Sequence, residues 1–176
     1  MAEPEKLFLT YNEIHKTVKS LSEQIIAEKS VPELMVAIGT GGFIPARILK
    51  TFLDRPIYTV GISYYDLENK PKNSPQKIQW IDEVEKKLAG KRVLLVDEVD
   101  DSRVTLQYCL NELIKHRPAE ISVAVLHNKM KEKRGSFPPE VTRYFYGIEL
   151  PDKWICYPWD ADDIDFQDKM AAEREA

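Results

Sequence analysis

Asp97, Glu98, Asp100 and Asp101 place four carboxylates within five positions, and Ser102, Arg103 and Thr105 follow them. Residues 93–96 are Val, Leu, Leu and Val, and beyond the loop Leu106, Leu110, Leu113 and Ile114 recur at helical spacing. The pattern predicts a strand buried on both faces, an acidic, hydroxyl-rich loop and a helix start. Such a junction suits two chemistries. Hard carboxylates hold a divalent cation or the hydroxyls of a ribose. Free backbone N–H groups at a helix start hold a phosphate. In parallel sheets, ligands bind beyond the carboxyl ends of the strands. A second candidate is Gly39, Thr40, Gly41 and Gly42, which join the apolar run 34–38 to a helix with Pro45 in its first turn. This loop also offers bare N–H groups. It matches neither the Walker nor the dinucleotide pattern, and in isolation a tight turn is its simpler reading.

The remaining segments must position those loops. Thr10 and Glu13 form a capping box, with Leu9 and Ile14 placed as a hydrophobic staple. Ile14, Val18, Leu21, Ile25 and Ile26 then mark one face of a helix ending near Lys29. Apolar strands are expected at 34–38, 57–63, 93–96 and 121–126, with a Tyr/Phe-rich strand at 142–150. Residues 66–76 carry polar residues and two prolines and read as a mobile loop, with a short returning strand at 77–82. Lys129, Lys131, Lys133 and Arg134 read as a solvated basic loop, and the aspartates from Asp160 to Asp168 as a solvated acidic tail. Residues 170–176 suit one final helical turn. Strands alternating with helices and long connections imply an α/β fold built on a parallel sheet.

With 176 residues, 43% hydrophobic and 31% charged, the chain is expected to form one domain, residues 1–176. A net charge of −4 argues against a nucleic-acid partner. Cys109 and Cys156 are expected as free thiols in a reducing compartment. No apolar run nears the ~20 residues of a membrane span, and no secretory signal core opens the chain. A cytoplasmic protein is expected, with a nuclear pool left open.

The stretch 93–106 resembles the phosphoribosyl pyrophosphate (PRPP) signature of type I phosphoribosyltransferases: an apolar strand, two acids, two apolar or variable positions, Asp, Ser/Thr, Gly, any residue, Thr. Two positions depart from it, Asp100 where an apolar residue is usual and Arg103 where glycine is usual. Residues 37–46 resemble the family's pyrophosphate loop, Ser63 and Tyr64 the pair opening its catalytic loop, and residues 154–160 its purine-stacking segment. The resemblance spans about 34–166 and is to the 6-oxopurine branch, most of all to its fungal hypoxanthine–guanine members. It implies a twisted parallel sheet flanked by helices, a core at about 10–130, and a small hood at about 142–166 carrying the base-binding segment. It implies transfer of 5-phosphoribose from PRPP to N9 of hypoxanthine or guanine, with xanthine–guanine transfer as the close alternative and a non-enzymatic nucleotide-sensing regulator as a remoter one.

The same resemblance assigns roles. Asp97 and Glu98 hold ribose and Mg²⁺, and Asp160 holds a second Mg²⁺ or its water. Asp101 is the general acid/base near N7. Asp101, Ser102, Arg103, Val104 and Thr105 cradle the 5′-phosphate, with the Arg103 side chain either on the phosphate or in solvent. Gly39, Thr40, Gly41 and Gly42 meet the pyrophosphate, with a non-proline cis peptide at Thr40–Gly41. Ser63 and Tyr64 close over the reacting atoms. Trp154 stacks on the base, and Ile155 and Cys156 present backbone to its edge. Lys129 contacts O6, with Asn128 the other option. A homodimer is the family's usual assembly.

Overall fold

The longest apolar runs become the central strands. The computed structural model describes residues 5–65 and 71–174. It opens with β1 (Lys6–Phe8) and α1 (Tyr11–Ala27). The Thr10 hydroxyl accepts from the Glu13 N–H at 3.1 Å, and Glu13 accepts from the Thr10 N–H at 2.7 Å, which closes the capping box. Then follow β2 (Leu34–Gly39), α2 (Phe43–Leu53), β3 (Ile57–Tyr65), β4 (Pro71–Gln79) and α3 (Val84–Leu88). The second half holds β5 (Arg92–Asp100), α4 (Val104–Ile114), β6 (Glu120–Met130) and β7 (Val141–Pro151). Last come β8 (Trp154–Cys156), a 3₁₀ turn (Pro158–Asp160) and α5 (Ile164–Arg174).

Six strands form one sheet in the order β4-β3-β2-β5-β6-β7. All neighbours are parallel except β3 and β4. Side chains of β2 and β5 alternate between two cores. Val36, Ile38, Val93 and Leu95 join Leu106 and Leu110 on one face. Met35, Ala37, Leu94 and Val96 meet Ile14, Leu21 and Leu49 on the other. Burial on both faces is why these strands read as unbroken apolar runs. The chain winds from β2 to β3 on one side and then returns to lay β5 on the other. The carboxyl ends of β2 and β5 therefore form a switch point, where a crevice opens.

Three segments differ from expectation. Residues 71–76, expected in a loop, belong to β4, where Gln76 pairs with Ser63 and Lys77 with Ile62. This edge strand is held by backbone pairing, not burial (Ile78 is 72% exposed), so it leaves no apolar period to read. It ends at Gln79, before Trp80. The rest of the expected loop, 66–70, lies outside the described residues. The C-terminal helix runs from Ile164 rather than forming a last turn near 170; the Asp163 carboxylate accepts from the Phe166 N–H at 3.0 Å at its start. The hood is a two-stranded parallel sheet of β1 and β8 with α5 against it, whereas β7 belongs to the main sheet. Among the described residues both cysteines are free, and no helix is long and apolar enough to cross a membrane.

Candidate active site

A cavity of about 560 Å³ occupies the switch point. Its floor is the carboxyl end of β5. Asp97 is buried and accepts from the Glu98 N–H at 3.0 Å. Burial first, and the Glu98 carboxylate second, hold its carboxyl well above the usual carboxylate range. Asp160 lines the same cavity and is shifted upward by burial and then by Glu98. Carboxylates crowded in a low-dielectric site resist full ionisation until a cation or hydroxyl donors arrive. Among the described residues no cluster of three or more side chains is close enough to cage a metal ion. The donor set nonetheless suits Mg²⁺, which takes one or two hard carboxylates and completes its shell with water and substrate oxygens.

The glycine loop forms the adjoining wall, and Gly39, Thr40 and Gly41 line the cavity. The cis peptide is Gly39–Thr40, one bond earlier than expected. Gly41 lies directly under Glu98: an added Cβ would sit 2.1 Å from the Glu98 carboxyl carbon. Gly42 is wedged between main chains, where a Cβ would meet the carbonyl oxygens of Val96 at 2.6 Å and Ile38 at 2.7 Å. Arg47 turns along its own helix and donates to the Thr51 hydroxyl at 3.3 Å.

Beyond β5 the chain turns into α4. Ser102, Arg103 and Thr105 line the cavity and Val104 begins the helix. Arg103 adopts φ 66° and ψ 0°, the left-handed conformation that glycine ordinarily takes. Its guanidinium turns back onto the end of β5. It donates through Nε and Nη2 to the Asp100 Oδ2 at 2.9 and 2.7 Å, and it lies 4.1 Å from the Phe137 ring centroid. Asp100 is fully buried and also accepts from the Tyr144 hydroxyl at 2.9 Å. The basic run is not a solvated loop. Lys133 donates to the carbonyls of Asp101 at 3.0 Å and Lys129 at 2.8 Å, and the N–H groups of Arg134 and Gly135 donate to that of Ser102.

The opposite wall carries Lys129, Trp154 and Ile155. Lys129 and Lys131 approach the Asp101 Oδ1 at 3.3 and 3.1 Å, and both also reach Asp152. Asn128 faces away and donates to Glu149 at 3.1 Å. Trp154 is 60% exposed at the rim. Tyr64 closes a further side, with the Arg134 guanidinium 6.0 Å from its ring centroid. Ser63 is half-buried in β3.

The family model for the phosphoribosyl transferase domain matches residues 10–158. The chain belongs to the phosphoribosyltransferase family. It is 39% identical to xanthine phosphoribosyltransferase 1 of Saccharomyces cerevisiae, covering 97% of both chains. It is equally 39% identical to the hypoxanthine-guanine phosphoribosyltransferase of Schizosaccharomyces pombe, again over 97% of each. A solved protein of Neisseria gonorrhoeae with bound ppGpp is 46% identical, superposes with a TM-score of 0.91, and is covered to 99%, as is this chain.

In this phosphoribosyltransferase, then, most of the expected residues of the β2 and β5 loops line one cavity with Lys129, Trp154 and Ile155, whereas Gly42 and Val104 do not line it. Cys156 stands behind its wall, and its carbonyl accepts from the Gln167 Nε2 at 2.8 Å and the Leu9 N–H at 3.2 Å. Three neighbours of the site escaped the sequence reading. Lys131 is two positions from Lys129, a spacing that returns to the same side of an extended chain. His127 and Tyr157 give no local signal. His127 is buried, and its Nδ1 lies 2.8 Å from the Tyr157 hydroxyl, which donates to the Glu98 carbonyl at 3.2 Å. This chain of contacts ties the end of β6 and the segment after β8 to the acid pair.

Proposed function

We propose that the chain is a purine-salvage enzyme that transfers 5-phosphoribosyl from PRPP to N9 of hypoxanthine or guanine, yielding IMP or GMP and pyrophosphate. The observation that carries this reading is the convergence, around one 560 Å³ cavity, of an acid pair, two N–H-bearing loops and a wall of Lys129 and Trp154. The fungal relatives of matching length support it.

Asp97 and Glu98 take the ribose hydroxyls and Mg²⁺, with Asp160 on the pyrophosphate side. Mg²⁺ held by these carboxylates would supply charge neutralisation for the departing pyrophosphate. The loop of Gly39 to Gly42 receives the leaving pyrophosphate. The N–H groups and hydroxyls from Asp101 to Thr105 receive the 5′-phosphate at the start of α4. The bond from the anomeric carbon to the pyrophosphate oxygen breaks as N9 attacks. Asp101 exchanges the proton at N7 as general acid/base. Lys129 donates to the purine O6, and Trp154 stacks on the base. Tyr64 and Ser63 border the reacting atoms and help to exclude water.

The Neisseria neighbour favours a second role for the same pocket. A ligand with guanine, ribose and diphosphates on both the 5′ and 3′ oxygens combines the groups the three walls are suited to hold, so ppGpp is a competitor of PRPP here. One experiment tests both readings: purified protein with PRPP and Mg²⁺, offered hypoxanthine, guanine, xanthine, adenine or uracil, with and without ppGpp. Nucleotide formation from hypoxanthine and guanine is expected, with inhibition relieved by excess PRPP. No turnover with any base rejects the enzyme; xanthine outpacing hypoxanthine reassigns its base; inhibition unaffected by PRPP moves ppGpp to another site.

A further inference from the structure

We propose that Asp100, Tyr144 and Lys133 are positioning residues for the phosphate loop, holding Arg103 in the left-handed conformation that glycine would adopt unaided. The inference rests on the reading of residues 101–105 as the 5′-phosphate cradle. At φ 66° the Cβ of an L-residue crowds the backbone, so nothing local favours arginine there. The stabilisation comes from outside the loop. Asp100, the last residue of β5, and Arg103, which precedes α4, are joined by two hydrogen bonds across the turn. The Asp100 carboxylate is fully buried and has Tyr144 as its other donor. The guanidinium lies against the adjoining rings of Phe137 and Tyr144, at 4.1 and 5.4 Å from their centroids. A planar guanidinium suits both the paired hydrogen bonds and the ring stacking; lysine would supply neither.

The clamp also orients the peptide groups. Lys133 donates to the carbonyls of Asp100 and Asp101, and the N–H groups of Arg134 and Gly135 donate to the Ser102 carbonyl. Three successive carbonyls, those of Asp100, Asp101 and Ser102, are thus bonded by segment 133–135, which fixes the peptide planes of the loop. Gly135 permits this approach: a Cβ there would lie 2.6 Å from the Arg103 carbonyl oxygen. Asp100 and Arg103 thus depart together from the glycine-containing pattern because each requires the other.

The test compares wild type, Asp100→Leu, Asp100→Leu/Arg103→Gly, Tyr144→Phe and Asp100→Asn. Steady-state kinetics with PRPP and base varied separately are combined with GMP affinity by calorimetry. Asp100→Leu is expected to raise the KM for PRPP and the Kd for GMP about tenfold, with the KM for base little changed. The double variant should recover most of that loss, because glycine takes the conformation without a clamp. Tyr144→Phe should shift the same constants by a smaller factor. Equal constants for Asp100→Leu and the double variant, or a lower melting temperature with PRPP and GMP binding unchanged, would overturn the clamp. If Asp100→Leu does not fold, Asp100→Asn and Tyr144→Phe decide by the same constants. Absence of turnover in the wild type would reject the enzyme reading alone, since the order of GMP affinities still reads the clamp.

Discussion

His127 shows how the site is built one residue at a time. Only 1% of the residue is exposed, and burial pushes its pKa down from 6.5 to about 4. The ring is therefore neutral at physiological pH, and its Nδ1 is hydrogen-bonded with the Tyr157 hydroxyl. In the unfolded chain the same ring takes up a proton near pH 6.5. Its contribution to stability is thus complete above pH 6.5 and is lost as pH falls toward 4, with an upper limit of about 3 kcal/mol. Unfolding measured across that window should show a steeper loss for wild type than for His127→Gln, whose amide can still donate to Tyr157. Parallel curves would mean that the imidazole is not the group responsible.

At the scale of an element, the loop from β2 to α2 places two glycines with opposite demands side by side. Gly42 faces two backbone carbonyl oxygens that cannot move without shifting β2 and β5. Gly42→Ala should destabilise the protein by about 1–3 kcal/mol, as overpacking does, read as a lower melting temperature. Gly41 faces only the end of the Glu98 side chain. That carboxylate can swing aside, so Gly41→Ala should leave melting nearly unchanged while displacing a group proposed to hold ribose and Mg²⁺. A loss of turnover of about tenfold or more is expected, equivalent to ~1.4 kcal/mol in transition-state stabilisation. If Gly41→Ala melted early and turned over normally, the loop would be scaffold and nothing else.

Across the whole molecule, the proposed purine wall depends on contacts between segments remote in the chain. β1 and β8 pair in parallel, Lys6 with Trp154 and Phe8 with Cys156. Helix α5 locks them together: the Gln167 Nε2 donates to the Leu9 and Cys156 carbonyls, both at 2.8 Å, and Arg174 reaches the Phe8 carbonyl and Glu13. The proposed PRPP side is built on the main sheet, one of whose apolar faces also receives Leu9 and Tyr157. Gln167→Leu leaves two carbonyls without this donor and should lower stability by about 1–3 kcal/mol. The KM for the base should rise severalfold while that for PRPP stays close to wild type. A matched rise in both would show that the hood and the sheet respond as one unit.

Much of this protein was determined by its sequence alone, because burial leaves a local trace. Runs such as 34–38 and 93–96 are apolar throughout because both faces of the sheet are covered. Thr10 and Glu13 satisfy each other's orphan groups within one turn. Acids and hydroxyls between a buried strand and a helix pointed to the loop that lines the cavity. The tertiary structure decided what depends on partners remote in the chain. The first part of β4, residues 71–76, is polar and pairs by its backbone, so only its last residues were expected as strand. Asp100 and Arg103 looked like two separate departures until Tyr144 and Phe137, some forty residues on, enclosed them as a pair. Tyr157 reaches Glu98 only because β8 is drawn against β1, and a single sequence records periodicity and local chemistry but not which distant segments meet.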